Sequence, residues 1–226
     1  MNIIENTRSI KKARELADIV VLVIHGGHEL YYYPSPRMRD QYRFYAEQGA
    51  SIIVGHHSHC LSGYEVYKDV PVFYGLGNFL FAANTGFEGW HDCFLLRICI
   101  SHNGGIKWTL YPYTQNKSNF RVELMRDSEK AAFEDKIIRI NEIIDDPKKL
   151  ENEFEAFVST KKKDVLATFS TSNIFNSRYF QSAIRKSGLE PFFLRRKQLK
   201  SILNHTRCEA HRDVVFKILS DYINTK

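Results

Sequence analysis

Two short apolar runs, each handing over to a histidine, do most to limit what this chain can become. Ile19 to Ile24 is an unbroken run of β-branched residues and leucine that delivers His25, and Ser51-Ile52-Ile53-Val54 delivers Gly55-His56-His57-Ser58-His59. A continuous run of this kind predicts a strand covered on both faces, as in α/β sheets. Between the two, Arg37 to Gln48 predicts a helix with Met38, Tyr42, Tyr45 and Ala46 inward and Gly49 as its stop signal. Ahead of them, residues 7–17 predict another helix, with Ile10, Ala13, Leu16 and Ala17 on one stripe. The order is helix, strand, helix, strand, with a histidine-bearing loop at the carboxyl end of each strand, where α/β sheets gather their binding groups. Two such loops side by side make one pocket.

Three imidazoles in four positions point to metal, because imidazole is the commonest protein ligand for transition metals. Alternate side chains of an extended chain share a face, so His57 and His59 are expected to converge while His56 points away. A polar surface loop is the bland reading of a lone histidine; His-x-His directly after a strand favours the ligand reading. Gly26-Gly27-His28-Glu29 follows the first strand, and its glycines permit close backbone approach to a ligand. The turn Gly75-Leu76-Gly77-Asn78-Phe79 offers the Asn78 amide to a substrate or a ligand, or only to its own turn. His28, the pair His91-Asp92, and His102 are expected at the surface.

Residues 64–67 and 70–74 predict a hairpin about Lys68-Asp69, and residues 94–100 and 106–113 another about Asn103-Gly104. From about Val122 the texture turns helical. Phe133, Ile137, Ile140 and Ile144 form a stripe behind Ser128, Asp145-Asp146-Pro147 divides it from Leu150, Phe154, Phe157 and Val158, and a third pattern runs through Ile174, Tyr179, Phe180 and Ile184. After a break at 188–191, Leu199, Ile202, Leu203, Val214, Val215, Ile218, Leu219 and Tyr222 complete the pattern.

Composition excludes little but does so cleanly. Residues 1–118 carry 11 Lys/Arg against 10 Asp/Glu and residues 119–226 carry 21 against 16, so five of the six excess positive charges sit in the second half. That raises the chance of an anionic surface partner such as nucleic acid, phospholipid or an acidic polymer, but no nucleic-acid-binding motif accompanies it and a solvated face is the favoured reading. Cys60, Cys93, Cys99 and Cys208 lack the spacing of a metal finger or disulfide framework, and Cys60 is expected to be a buried thiol. No apolar run is long enough to span a bilayer and no leader pattern opens the chain, so the default expectation is a cytoplasmic chain with any envelope association made through partners.

Taken together, His25-x-Gly27-x-Glu29, Gln41, Gly49-Ala50-Ser51, Gly55-His56-His57-Ser58-His59, Glu65-x-Tyr67 and Tyr74-Gly75-Leu76-Gly77-Asn78-Phe79 resemble, in order and spacing, the CapA proteins of poly-gamma-glutamate capsule synthesis. That family is similar to the calcineurin-like metallophosphoesterases, and the resemblance covers roughly residues 5–115. It implies an α/β fold, the C-terminal portion of an αββα sandwich over residues 1–118, followed by an α-helical extension over 119–226. It implies a divalent metal, zinc, manganese or iron, on His25, His57 and His59, with Glu29 as ligand, general base or a group behind the ligands, Glu29 or His56 handling the proton, and Asn78 near the pocket.

The family's Gly-Asp and Gly-Asn-His motifs, whose side chains complete a two-metal centre, are absent from this sequence. A two-metal hydrolase needs carboxylates between its cations, so the chain is expected either to be a fragment of a split or truncated gene or to assemble with a partner chain that supplies the N-terminal half, and its sheet to show an open edge and one apolar face. Two readings stand side by side. One is a CapA-like metal-dependent hydrolase whose missing half comes from elsewhere; the other is a noncatalytic accessory protein whose helical half docks a partner.

Overall fold

The computed structural model describes residues 2–81, 86–115, 121–169 and 196–224. The chain is mixed α/β and divides into two compact units, Met1–Phe154 and Glu155–Lys226, the division falling inside a helix.

The first unit opens with α1 (Ile3–Leu16), β1 (Val21–His25), α2 (Pro36–Glu47) and β2 (Ile52–His56), the helix-strand-helix-strand order read from the sequence. Helix α1 begins four residues earlier than its apolar stripe suggested, because the Asn2 side chain accepts from the Glu5 amide and caps it. Of the predicted stripe only Ile10 is buried; Leu16 is 79% exposed. Helix α2 is capped by Ser35 and buries Met38, Tyr42, Tyr45 and Ala46 as expected.

Strands β3 (Tyr64–Tyr67) and β4 (Val70–Phe73) complete a sheet of order β1-β2-β4-β3, with β1–β2 and β2–β4 parallel and β3–β4 antiparallel about the positive-φ turn Lys68-Asp69. Strands β5 (Asp92–Ile100), β6 (Ile106–Gln115) and β7 (Val122–Leu124) form a second, antiparallel sheet. Phe73 of β4 meets Trp108 of β6 edge-on at 6.0 Å, while the next residue, Tyr74, stacks on Tyr42 of α2 at 5.5 Å. Successive side chains of an extended chain point to opposite faces, so the first sheet lies between helix α2 and the second sheet. Ile52, Ile53, Val72 and Phe73 are fully buried between them.

Helix α3 (Asp127–Asp145) buries Phe133, Ile137, Ile140 and Ile144, the stripe expected of it. Its cap is Arg126 rather than Ser128: the Arg126 amide donates to Glu129 Oε2 at 2.8 Å. Asn141 Oδ1 accepts from the Tyr64 amide at 2.8 Å and Arg39 donates to Ile144 O at 3.0 Å, so α3 lies along β3 and covers that edge of the sheet.

The opposite edge is different. Among the described residues β1 pairs only with β2, and Val21 and Val23 are 45% and 64% exposed while Ile24 is buried. The unbroken apolar run predicted cover on both faces, and β1 is covered on one. A run of aliphatic residues cannot tell a strand buried on both faces from one that leaves an apolar face open.

Helix α4 (Pro147–Phe169) starts where Asp146 Oδ1 accepts from the amides of Lys148 and Lys149. Leu150 and Phe154 are buried in the first unit. In the second unit, Val158 and Val165 of α4 are buried, as are Ala210, Val214, Val215 and Ile218 of α6 (Glu209–Asn224), which follows α5 (Arg196–Arg207). The pattern through Ile174, Tyr179, Phe180 and Ile184 and the break at 188–191 lie outside the described residues. No described helix is long and apolar enough to cross a membrane.

Candidate metal centre

The parallel register sets His25 opposite His56 at the carboxyl ends of β1 and β2. Beyond the strands, the Gly26 amide donates to His56 O at 3.1 Å and the Leu30 amide to Ser58 O at 2.8 Å, which ties the two histidine-bearing loops together. Pleated geometry ends at His56. His57 has φ 101° and His59 φ 57°, a left-handed backbone that residues other than glycine seldom adopt and that gathers at functional sites. The rings of His57 and His59 come within 5.9 Å of each other through these two left-handed residues, not through the strand alternation the sequence suggested.

His57 faces two ways. Its Nδ1 lies 3.1 Å from His25 Nε2, and its Nε2 lies 3.8 Å from Glu29 Oε1. Among the described residues the ligand atoms of Glu29, His57 and His59 all lie within 4.8 Å of one another. His25 is not one of that trio and meets it through His57. Two imidazole nitrogens on one tetrahedral cation at ~2.0–2.1 Å stand ~3.3 Å apart, close to the His25–His57 separation. The trio's ligand atoms, within 4.8 Å of one another, stand wider than that spacing. Imidazoles with one carboxylate suit zinc, manganese or iron, and the residues present fit a divalent cation.

His56 is half-buried, and burial first, the neighbouring His25 second, hold its imidazole below the ordinary histidine value. Asn78 is 7% exposed and turned inward. Its Nδ2 donates to His59 O at 2.9 Å and Trp90 O at 3.3 Å, its Oδ1 lies 2.8 Å from His59 Nδ1, and its carbonyl accepts from the Tyr113 hydroxyl at 2.8 Å. The His59 ring stacks on Trp90 at 5.2 Å and on Phe81 at 5.6 Å. Gln115 donates from Nε2 to Trp90 O at 2.9 Å and accepts from the Phe81 amide at 2.6 Å. Trp90 and Gln115 had no signal in the sequence: they lie 31 and 56 positions from His59 and belong to no local spacing pattern.

The expected surface histidines divide. His28 is buried, its ring 5.4 Å from Phe154 and 6.0 Å from Tyr31, because the loop after β1 folds it under the start of α4. His91 is half-buried and His102 is exposed in the β5–β6 turn. Two motif residues turn out to be architectural: Gln41 donates to the Tyr45 hydroxyl, and buried Glu65 pairs with Arg43 at 2.9 Å and accepts from the Tyr74 hydroxyl at 2.6 Å.

Fold and site together define a histidine-rich candidate metal centre at the carboxyl edge of a parallel α/β sheet. Residues 4–83 match the family described as bacterial capsule synthesis protein PGA_cap. Over 103 residues the chain is 39% identical to the PGA biosynthesis protein CapA of Bacillus subtilis, covering 46% of this chain and 27% of that protein. Over 101 residues it is 39% identical to the capsule biosynthesis protein CapA of Bacillus anthracis, covering 43% and 24%. An uncharacterized protein of Sinorhizobium fredii is 32% identical over 76 residues, 33% of this chain and 16% of that one. Over this matched stretch the chain is similar to the CapA proteins, and it spans about a quarter of the length of the two Bacillus relatives.

Proposed function

We propose that this chain contributes the histidine side of a metal-dependent hydrolase centre of the CapA type, working in capsule or poly-gamma-glutamate synthesis. One observation carries the reading: Glu29, His57 and His59 present ligand atoms within 4.8 Å of one another, inside the stretch that matches the PGA_cap family. A cation bound there supplies Lewis-acid polarisation of a phosphoryl or acyl oxygen and brings the pKa of bound water toward ~7. His57 and His59 hold it with His25 behind them, and Glu29 completes the donor set or takes the proton. His56, half-buried at the same sheet edge with its pKa lowered by burial, is the second candidate to take the proton.

The trio holds one carboxylate, and balancing two cations requires more. The open edge of β1 supports a source for them: a polypeptide adding beside Val21 to His25 brings its own carboxyl-end residues next to His25. The accessory reading has an observation of its own, since Leu203, Phe216 and Ile223 of the helical unit are 58%, 73% and 72% exposed.

Metal analysis separates the two. The purified chain is expected to carry or take up about one equivalent of zinc, manganese or iron, and a His57→Ala/His59→Ala variant to lose it. Equal, substoichiometric metal in both proteins would remove the hydrolase reading and leave the accessory one.

A further inference from the structure

Resting on the metal-site reading, the structure assigns Asn78 a task other than touching substrate: we propose that it is a positioning residue, fixing the tautomer of His59 so that Nε2 alone presents a lone pair to the cation.

An asparagine amide viewed alone can be turned either way, but its surroundings here admit one orientation. On one side are two carbonyl oxygens, His59 O at 2.9 Å and Trp90 O at 3.3 Å, which only accept; the side facing them must be the NH2 group. The oxygen therefore faces His59 Nδ1 at 2.8 Å. An amide oxygen cannot donate, so the proton on that bond is carried by Nδ1. A neutral imidazole with Nδ1 protonated has its lone pair on Nε2, and Nε2 is the edge left free.

Two further constraints keep the ring from escaping. It packs against both Trp90 and Phe81, inclined to each by 23°, and those two rings meet each other at 5.2 Å, so the imidazole is one member of a three-ring cluster that limits its rotation. The left-handed backbone of His59 turns its carbonyl back onto the Asn78 NH2, so one amide grips both the backbone and the ring of the same residue. Asn78 is anchored in turn: the Tyr113 hydroxyl donates to its carbonyl, and Gln115 shares the Trp90 carbonyl with it. The second sheet thus reaches the metal edge of the first through one asparagine.

Neutral histidine in water favours the Nε2-protonated form, the wrong one for an Nε2 ligand, so Asn78 must reverse that preference before any cation arrives. Partners behind a ligating histidine are typically worth 10–100-fold in metal affinity. The test reads the tautomer directly, by long-range proton–nitrogen NMR on full-length, metal-stripped protein labelled with 15N-histidine at pH 8. A His59→Gln variant assigns the signal among the nine histidines.

His59 is expected to be protonated at Nδ1 in the wild type, to revert toward Nε2–H in Asn78→Leu, and to stay at Nδ1–H in Asn78→Asp, which keeps an oxygen acceptor in place. Zinc titration should show affinity about 10–100-fold weaker in Asn78→Leu and largely retained in Asn78→Asp. A wild-type ring protonated at Nε2, or a tautomer indifferent to Asn78→Leu, overturns the proposal. Should circular dichroism show Asn78→Leu unfolded, the wild-type tautomer decides: Nδ1–H on His59 supports the assignment and Nε2–H overturns it. A wild type that holds Nδ1–H yet binds no zinc defeats the metal reading while leaving the hydrogen-bond assignment in place.

Discussion

Single side chains in this protein separate by whether their polar atoms serve the fold or the open edge. Glu65 has the look of a site residue in sequence but is 7% exposed, bonded by the Arg43 guanidinium and the Tyr74 hydroxyl, and joins α2 to the sheet. Glu65→Ala leaves a charged guanidinium and a fully buried phenol without their acceptor, and removal of one member of a buried pair costs about 3 kcal/mol. Urea unfolding should show the midpoint drop with unchanged slope; a loss below about 1 kcal/mol would show that water replaces the carboxylate at no cost. The thiols make a second test. Burial pushes Cys60 and Cys93 up to about 12 from the model-compound value of 9.0, while Cys99 is exposed. Iodoacetamide at pH 8 should therefore label Cys99 in the native protein and reach Cys60 and Cys93 only on unfolding. These two raised values also set a sign. Unfolding releases thiols that ionise near 9, so the native state loses stability as pH rises from about 9 toward 12 and is unaffected by them below that window.

At the scale of elements, close backbone approach decides where glycine is required. Gly77 sits at φ +84°, and a Cβ there would stand 2.5 Å from Cys93 Sγ, in the turn that carries Asn78. Gly104, at φ +79° in the β5–β6 turn, has nothing within 4 Å of the same position. Both alanine variants bear the ~1–2 kcal/mol left-handed cost, but Gly77→Ala adds the overpacking cost of ~1–3 kcal/mol. Thermal unfolding should rank Gly77→Ala well below Gly104→Ala, and zinc affinity should fall only in the former; equal shifts would show that Cys93 moves aside freely. This contrast also marks how far the sequence could be read. Strands β1 to β6, both hairpins and helices α2 and α3 were legible because local period and turn chemistry fix them, whereas the short β7 falls where the sequence turns helical and was not; the histidine cluster was legible because its residues lie within four positions. The exposure of Val23 was not, since edge and interior strands share one apolar composition. Nor was the Gln115–Trp90–Asn78 support behind His59, which joins three segments that only the packing of two sheets brings together.

Over the whole chain, the candidate ligands and the last helices lie in different compact units, and that makes ligand linkage selective. Glu29, His57 and His59 belong to the unit ending at Phe154, whose core runs from Ile10 to Ile144; the second unit has its own core of Val158, Val165, Ala210, Val214, Val215 and Ile218. A cation that binds the folded first unit stabilises it by about 2.7 kcal/mol at one hundred times its Kd, and adds nothing to a unit that holds none of its ligands. Calorimetry of the full chain should therefore resolve two transitions, of which zinc raises one and leaves the other in place. The His57→Ala/His59→Ala variant should keep both transitions and lose the zinc response. A single transition that moves as a whole would mean that α4, continuous across the division, couples the units into one cooperative block. Two transitions with no response in either would mean that His57, His59 and Glu29 bind no cation in this chain by itself. In that case the open edge of β1 becomes the place to look, and a polypeptide bringing carboxylates beside His25 should restore the zinc response to the first-unit transition alone.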